Sequence, residues 1–119
     1  MLNHTGRYLV FESSATNLIS GVTTQTGVTH IYRRDRDVSG SGIFDTPGNT
    51  STVMVDVGGA TAGNANASQA VISADARYVA FASRATNLAA APTTAGRQHI
   101  YLRDVTAATT AIVSVGTGG

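Results

Sequence analysis

The side chains best equipped for chemistry in this sequence fall in three places. Residues 35–45, DRDVSGSGIFD, carry three aspartates and two serines in eleven positions. His30 and His99 each stand directly before Ile-Tyr, and the pairs Arg34-Asp35 and Arg103-Asp104 follow them. Histidine is the side chain most readily used as a base or metal ligand near neutral pH. One histidine per unit lacks a convergent partner in sequence, so each is expected to be an edge or loop residue with a structural hydrogen bond. The recurring Arg-Asp pair is expected to form a bridge or turn in each unit, because residues that repeat serve the repeat. Serines and aspartates abound, yet no Gly-x-Ser-x-Gly elbow, HExxH, phosphate-binding loop or dinucleotide fingerprint is present. The chain is therefore not expected to be an enzyme. The Asn-x-Ser/Thr triplets at Asn3, Asn49 and Asn66 read as chance.

The acidic stretch resembles the Asp-x-Asp-Gly-Asp-Gly-Ile-x-Asp calcium loops of dockerin-like and thrombospondin-type repeats. That resemblance implies Asp37, Ser39, Ser41 and Asp45 as ligand positions, with Ile43 offering its carbonyl. Calcium seeks about six to eight oxygens, several of them charged. Two of the family's aspartates are serines here and no glutamate follows as a bidentate ligand, so the implied affinity for calcium is weak. The other reading is a turn-rich insert whose Asp and Ser side chains bond the backbone. We prefer the second.

The elements that must position these residues are announced by an internal repeat. Residues 6–18, GRYLVFESSATNL, recur as ARYVAFASRATNL at 76–88, with eight of thirteen positions identical. HIYRRD at 30–35 recurs as HIYLRD at 99–104, so the offsets are 70 and then 69. Residues 52–57 correspond to 110–115 at an offset of only 58, which marks 36–49 as an insert of the first unit.

Composition bounds the class. The 119 residues are 42% hydrophobic, carry a formal net charge of +1, and contain neither cysteine nor lysine. That charge excludes the basic footprint of a nucleic-acid binder. The absence of cysteine removes any disulfide framework. No apolar run approaches a membrane span, and no signal peptide is visible at the start. Thr, Val, Gly and Ala in short runs point to an all-β chain of strands and tight turns.

Strands are expected at 7–13, 30–34, 50–57, 69–73, 77–83, 99–103 and 110–115. In 7–13, Tyr8 and Val10 face one way while Leu9 and Phe11 face the other, so the strand is apolar on both faces and calls for cover on both. Residues 14–29 read as a polar loop with turns at Gly21 and Gly27, 58–67 as a flexible connection, and 116–119 as an unstructured Gly-rich tail. A complete unit is thus a four-stranded antiparallel meander, the sequence form of a β-propeller blade. Residues 1–58 make a blade lacking its first strand, with the insert at 36–49. Residues 59–119 make a complete one.

The motif SADARYVAFAS…HIYLRD resembles the TolB-like (WD-repeat-like) β-propeller repeats of exported bacterial proteins. The matching residues are Ser73, Asp75, Arg77, Tyr78, Phe81, Ser83, Asn87, Leu88, Ile100, Tyr101, Arg103 and Asp104. Gly6, Arg7, Tyr8, Phe11, Ser13, Asn17, Leu18, Ile31, Tyr32, Arg34 and Asp35 match in the first unit. Ala76 replaces the family's turn glycine, where a residue with a Cβ would be strained. The resemblance implies a periplasmic or extracellular location and a structural or interaction role, with a protein or glycan partner met at the loop faces. It implies no nucleic acid and no insertion into a membrane. Propellers close with about four to eight blades, so two blades call for further blades of a longer chain or for self-association. Two other functions stay open, a calcium-stabilised adhesion module and the propeller part of a larger hydrolase. Two short sheets packed as a sandwich are the alternative fold.

Overall fold

The computed structural model describes residues 1–19, 24, 26–58, 61–88 and 98–113. Among them every regular element is a strand. The first sheet contains β1 (Tyr8–Ser13), β2 (His30–Asp35) and β3 (Ser51–Met54), antiparallel and in that order. A short hairpin of β4 (Val57–Gly58) and β5 (Thr61–Ala62) leads out of it. The second sheet is a meander of β6 (Ala67–Ile72), β7 (Tyr78–Ser83), β8 (His99–Asp104) and β9 (Thr109–Ile112).

The period-2 pattern decides how these sheets stack. Phe11, Tyr32 and Met54 lie opposite one another on one face of the first sheet. Phe81, Tyr101 and Ile112 do the same in the second. The rings pair alike, with centroids 5.6 Å apart for Phe11–Tyr32 and 5.7 Å for Phe81–Tyr101. Val10, Ile31 and Val55 occupy the first sheet's other face. They join Ile72, Val79, Phe81 and Tyr101 of the second sheet in one buried cluster. The sheets therefore meet unlike face to unlike face. Each such side chain contributes about 1.5–3 kcal/mol on burial, so this junction is a main source of stability. Polar ties between the units among the described residues include Asn3 Nδ2 donating to the Ala74 carbonyl at 2.9 Å, Arg33 donating to the Ala76 carbonyl at 2.8 Å and the Ala67 N–H donating to the Thr29 carbonyl at 2.9 Å.

Met1 and Leu2 run antiparallel to β1. Leu2 bridges Leu9, and the Val10 N–H donates to the Met1 carbonyl at 2.8 Å. They hold beside β1 the place that β6 holds beside β7, where Ile72 faces Val79.

The structure corrects the sequence reading in three places. The segment 50–57 is not one strand: β3 stops at Met54 and the chain bends at Val55-Asp56 before β4. The connection expected to be flexible contains the β4–β5 hairpin. It runs so close to the second unit that a Cβ on Gly58 would lie 2.0 Å from the Asn87 carbonyl oxygen. Only glycine fits there. His30 and His99 are not edge or loop residues but the first residues of the inner strands β2 and β8, and both are buried. The strain expected at Ala76 is present, with φ +64° against +76° at the equivalent Gly6. Gly27 turns with φ +85° as read. The turn at Gly21, most of the loop 84–98, positions 114–115 and the tail 116–119 lie outside the described residues.

Candidate functional site

The insert closes around Asp37. Its Oδ2 accepts the Gly42 N–H at 2.7 Å. Its Oδ1 accepts the Ser41 N–H, the Ser41 hydroxyl and the Asn49 amide, each at 3.0 Å. The Ser39 hydroxyl lies at 3.5 Å. Fed by the Gly42 N–H above all, the carboxyl is held down at about 2. A carboxylate so supplied with donors acts as the internal anion of a closed turn.

Asp37, Ser39 and Ser41 are thus brought together. Asp45 is not. It sits at φ +62° and takes a forked bond from Arg36, with Nη2 donating to Oδ2 at 2.8 Å. Arg36 also lies over the Phe44 ring, 4.8 Å from its centroid, and donates to the Gly6 carbonyl at 2.9 Å. Among the described residues no three His, Asp or Glu side chains gather as a metal site would need. Beside its polar residues the loop displays apolar side chains. Val38, Ile43 and Phe44 are exposed on a frame tied by Asp37, Asn49 and Arg36.

The same rim carries the repeated ionic pairs. Asp35 is bridged by Arg7 through Nε at 2.8 Å and Nη2 at 2.9 Å, and Asp104 by Arg77 at 3.0 and 2.8 Å. The recurring bridge expected from Arg34-Asp35 and Arg103-Asp104 therefore exists, but its arginine comes from the turn before β1 or β7. Arg34 and Arg103 instead reach Thr52 and Thr110, at 3.1 and 2.9 Å. The Arg77 guanidinium, with the Ala107 N–H, holds the Asp104 carboxyl at about 2.

A second cluster is one that sequence reasoning missed. Asp56 is buried at the bend after β3, with Oδ2 2.6 Å from His30 Nδ1 and Oδ1 accepting the Ile31 N–H at 2.8 Å. Its carboxylate takes over from the backbone of β3, pairing β2 where the chain turns away. Burial pushes its pKa upward, against the pull of the Ile31 N–H and His30. The imidazole Nε2 has no hydrogen-bond partner among the described residues, and both side chains are buried. The one available signal was a break in the repeat, since the second unit has Ser114 where the first has Asp56.

Comparison of the chain with protein-family models, with curated proteins and with solved structures found no match.

Proposed function

We propose that this chain is a non-catalytic β-propeller segment, two consecutive blades, serving as a structural scaffold that presents loops to a protein or glycan partner. The observation that carries this reading is the unlike-face stacking of two repeat-equivalent sheets. A sandwich joins two inner faces and leaves both outer ones polar. Here the second sheet is apolar on both sides, with Val71, Tyr78, Ile100 and Val113 on the face turned away from the first. Stacking in which each unit presents its unlike face to the next is what a propeller, with blades repeated radially about a central axis, requires. The resemblance of the two motifs to TolB-like repeats points the same way and favours a setting outside the cytoplasm. The apolar insert tip at Val38, Ile43 and Phe44 is the loop best suited to meet a partner, being the feature by which one unit departs from the other.

The test is a tandem fusion of two copies of the chain. A new junction between the copies raises the melting temperature of the whole and increases the urea m-value while keeping a single transition. Two copies that melt at the temperature of one would overturn the reading in favour of a closed sandwich.

A further inference from the structure

We infer that the outward face of the second sheet docks on the first sheet's outward face in a second copy of this chain, head to tail. The inference rests on the stacking proposed above and names the partner that extends it. The repeat supplies the comparison. Ile31 is 0% exposed at the internal junction, whereas its equivalent Ile100 is 39% exposed. Val55 is 0% exposed and Val113, placed alike against Ile100, is 51%. The opposite end shows the same contrast, with Ile72 at 9% and its equivalent Leu2 at 49%. These three positions are buried at the internal junction and exposed at the ends, while Tyr32 and Met54 on the first sheet's outward face are already covered from within the chain by Val57, Ile19 and Ala62. The two end faces are the two halves of the junction already inside the molecule.

Hydrogen bonding discriminates further. At the internal junction, Arg33 of the first sheet donates to the Ala76 carbonyl of the second. Leu102 occupies the position equivalent to Arg33 and has no such donor. The carbonyl equivalent to Ala76 is that of Gly6, and it already accepts from Arg36 of its own chain. The end junction has therefore lost a donor on one side and its demand on the other. This is the complementarity expected of surfaces that meet. A contact between unlike faces is heterologous, so copies add in one direction and close into a ring if the rotation permits.

Because the chain contains no cysteine, introduced thiols report cleanly. One preparation carries Ile100→Cys and another Leu2→Cys. They are mixed with a short bis-maleimide, beside a single chain bearing both Ile31→Cys and Ile72→Cys, which is linked by oxidation during refolding because both positions are closed to the reagent once folded. The expected result is mixed Ile100–Leu2 dimers in excess of either like pair, together with the intramolecular link in the double variant. Adding Val113→Glu to the first preparation should lower the mixed product about tenfold or more, since a buried charge costs well over the 1.4 kcal/mol of a tenfold change. Like pairs of Ile100→Cys in excess would mean a two-fold dimer and overturn the proposal. An internal link with no mixed product would leave the stacked sheets standing and overturn the docking alone. Absence of the internal link in a variant that melts cooperatively would remove the stacking, and the docking with it.

Discussion

The first and second sheets are near-copies in sequence, yet equivalent positions live in different surroundings. Ile31 and Val55 are sealed by the second sheet, while their equivalents Ile100 and Val113 look outward. The difference is not in the side chains, which are apolar in both. It lies in what stands opposite, so the worth of an isoleucine here is set by the neighbour and not by the strand that carries it. A second difference lies within the units. The first contains a buried carboxylate at Asp56 and an ordered insert, and the second dispenses with the insert.

The largest effect should separate Ile31 from Ile100. Ile31→Asp places an unpaired charge in the sealed junction and should cost more than about 5 kcal/mol, enough to unfold a domain of ordinary stability. Ile100→Asp, already 39% exposed, should cost about 1 kcal/mol in the dilute chain. Urea unfolding followed by circular dichroism reads both, and equal losses would break the comparison.

Next comes Asp56→Ser, which gives the first unit the residue type of the second. It leaves the Ile31 N–H and His30 Nδ1 without their acceptor, and removing one member of a buried pair costs about 3–5 kcal/mol. The Ile31 amide should then exchange with solvent far faster.

Acid should act through Asp37 and Asp104. Both carboxyls lie at about 2 in the folded chain against an ordinary 3.8. A depressed folded pKa gives stability that is present above the unfolded value and lost as pH falls through the folded one. Melting temperature should therefore fall between about pH 5 and pH 2. Asp104→Asn should flatten that slope. Asp56 runs the other way, because its raised pKa favours the folded state as pH falls. A profile flat down to pH 2 would contradict the hydrogen-bond assignments.

Smaller effects should come from the paired turns. Gly6→Ala meets no clash, since the new Cβ would lie 3.8 Å from Phe44. It should still cost about 1–2 kcal/mol for the left-handed backbone. Ala76→Gly relieves that strain but loses a buried methyl worth about 0.8 kcal/mol, so little net change is expected. The smallest effect should be that of calcium. With Asp37 filled by N–H and O–H donors and Asp45 held by Arg36, millimolar calcium should leave the melting temperature unchanged; a rise would restore the cation-loop reading of 37–45.

Much of the fold was legible because two copies of one pattern confirm each other. Apolar residues on both faces of 7–13 and 77–83 announced sheets with two apolar faces, of which the second sheet has one buried and one exposed, and Gly6 against Ala76 announced strain in the turn. The bend at Asp56 was not legible, because a single Asp-for-Ser difference between units reads as ordinary drift until the Ile31 N–H is seen to need an acceptor. The β4–β5 hairpin hid in a run of Gly, Ala and Thr, a composition equally at home in a linker. Asp37 carries the same sequence signal whether it holds a cation or gathers N–H donors, and only the placement of Gly42, Ser41 and Asn49 distinguishes the two. The arginine that serves Asp35 was misread because the adjacent Arg34 is nearer in sequence, although strand alternation turns neighbouring side chains to opposite faces.

The stacking of unlike faces is tested most directly by methyl NMR on the dilute chain, with a soluble paramagnetic agent as the probe of exposure. Nuclear Overhauser contacts should link Val10 or Ile31 to Ile72 or Val79. The Ile31 methyls should escape the agent's broadening while those of Ile100 and Val113 feel it. Equal broadening of Ile31 and Ile100, without contacts between the sheets, would show that the two units do not stack and would remove the basis for every comparison drawn between them.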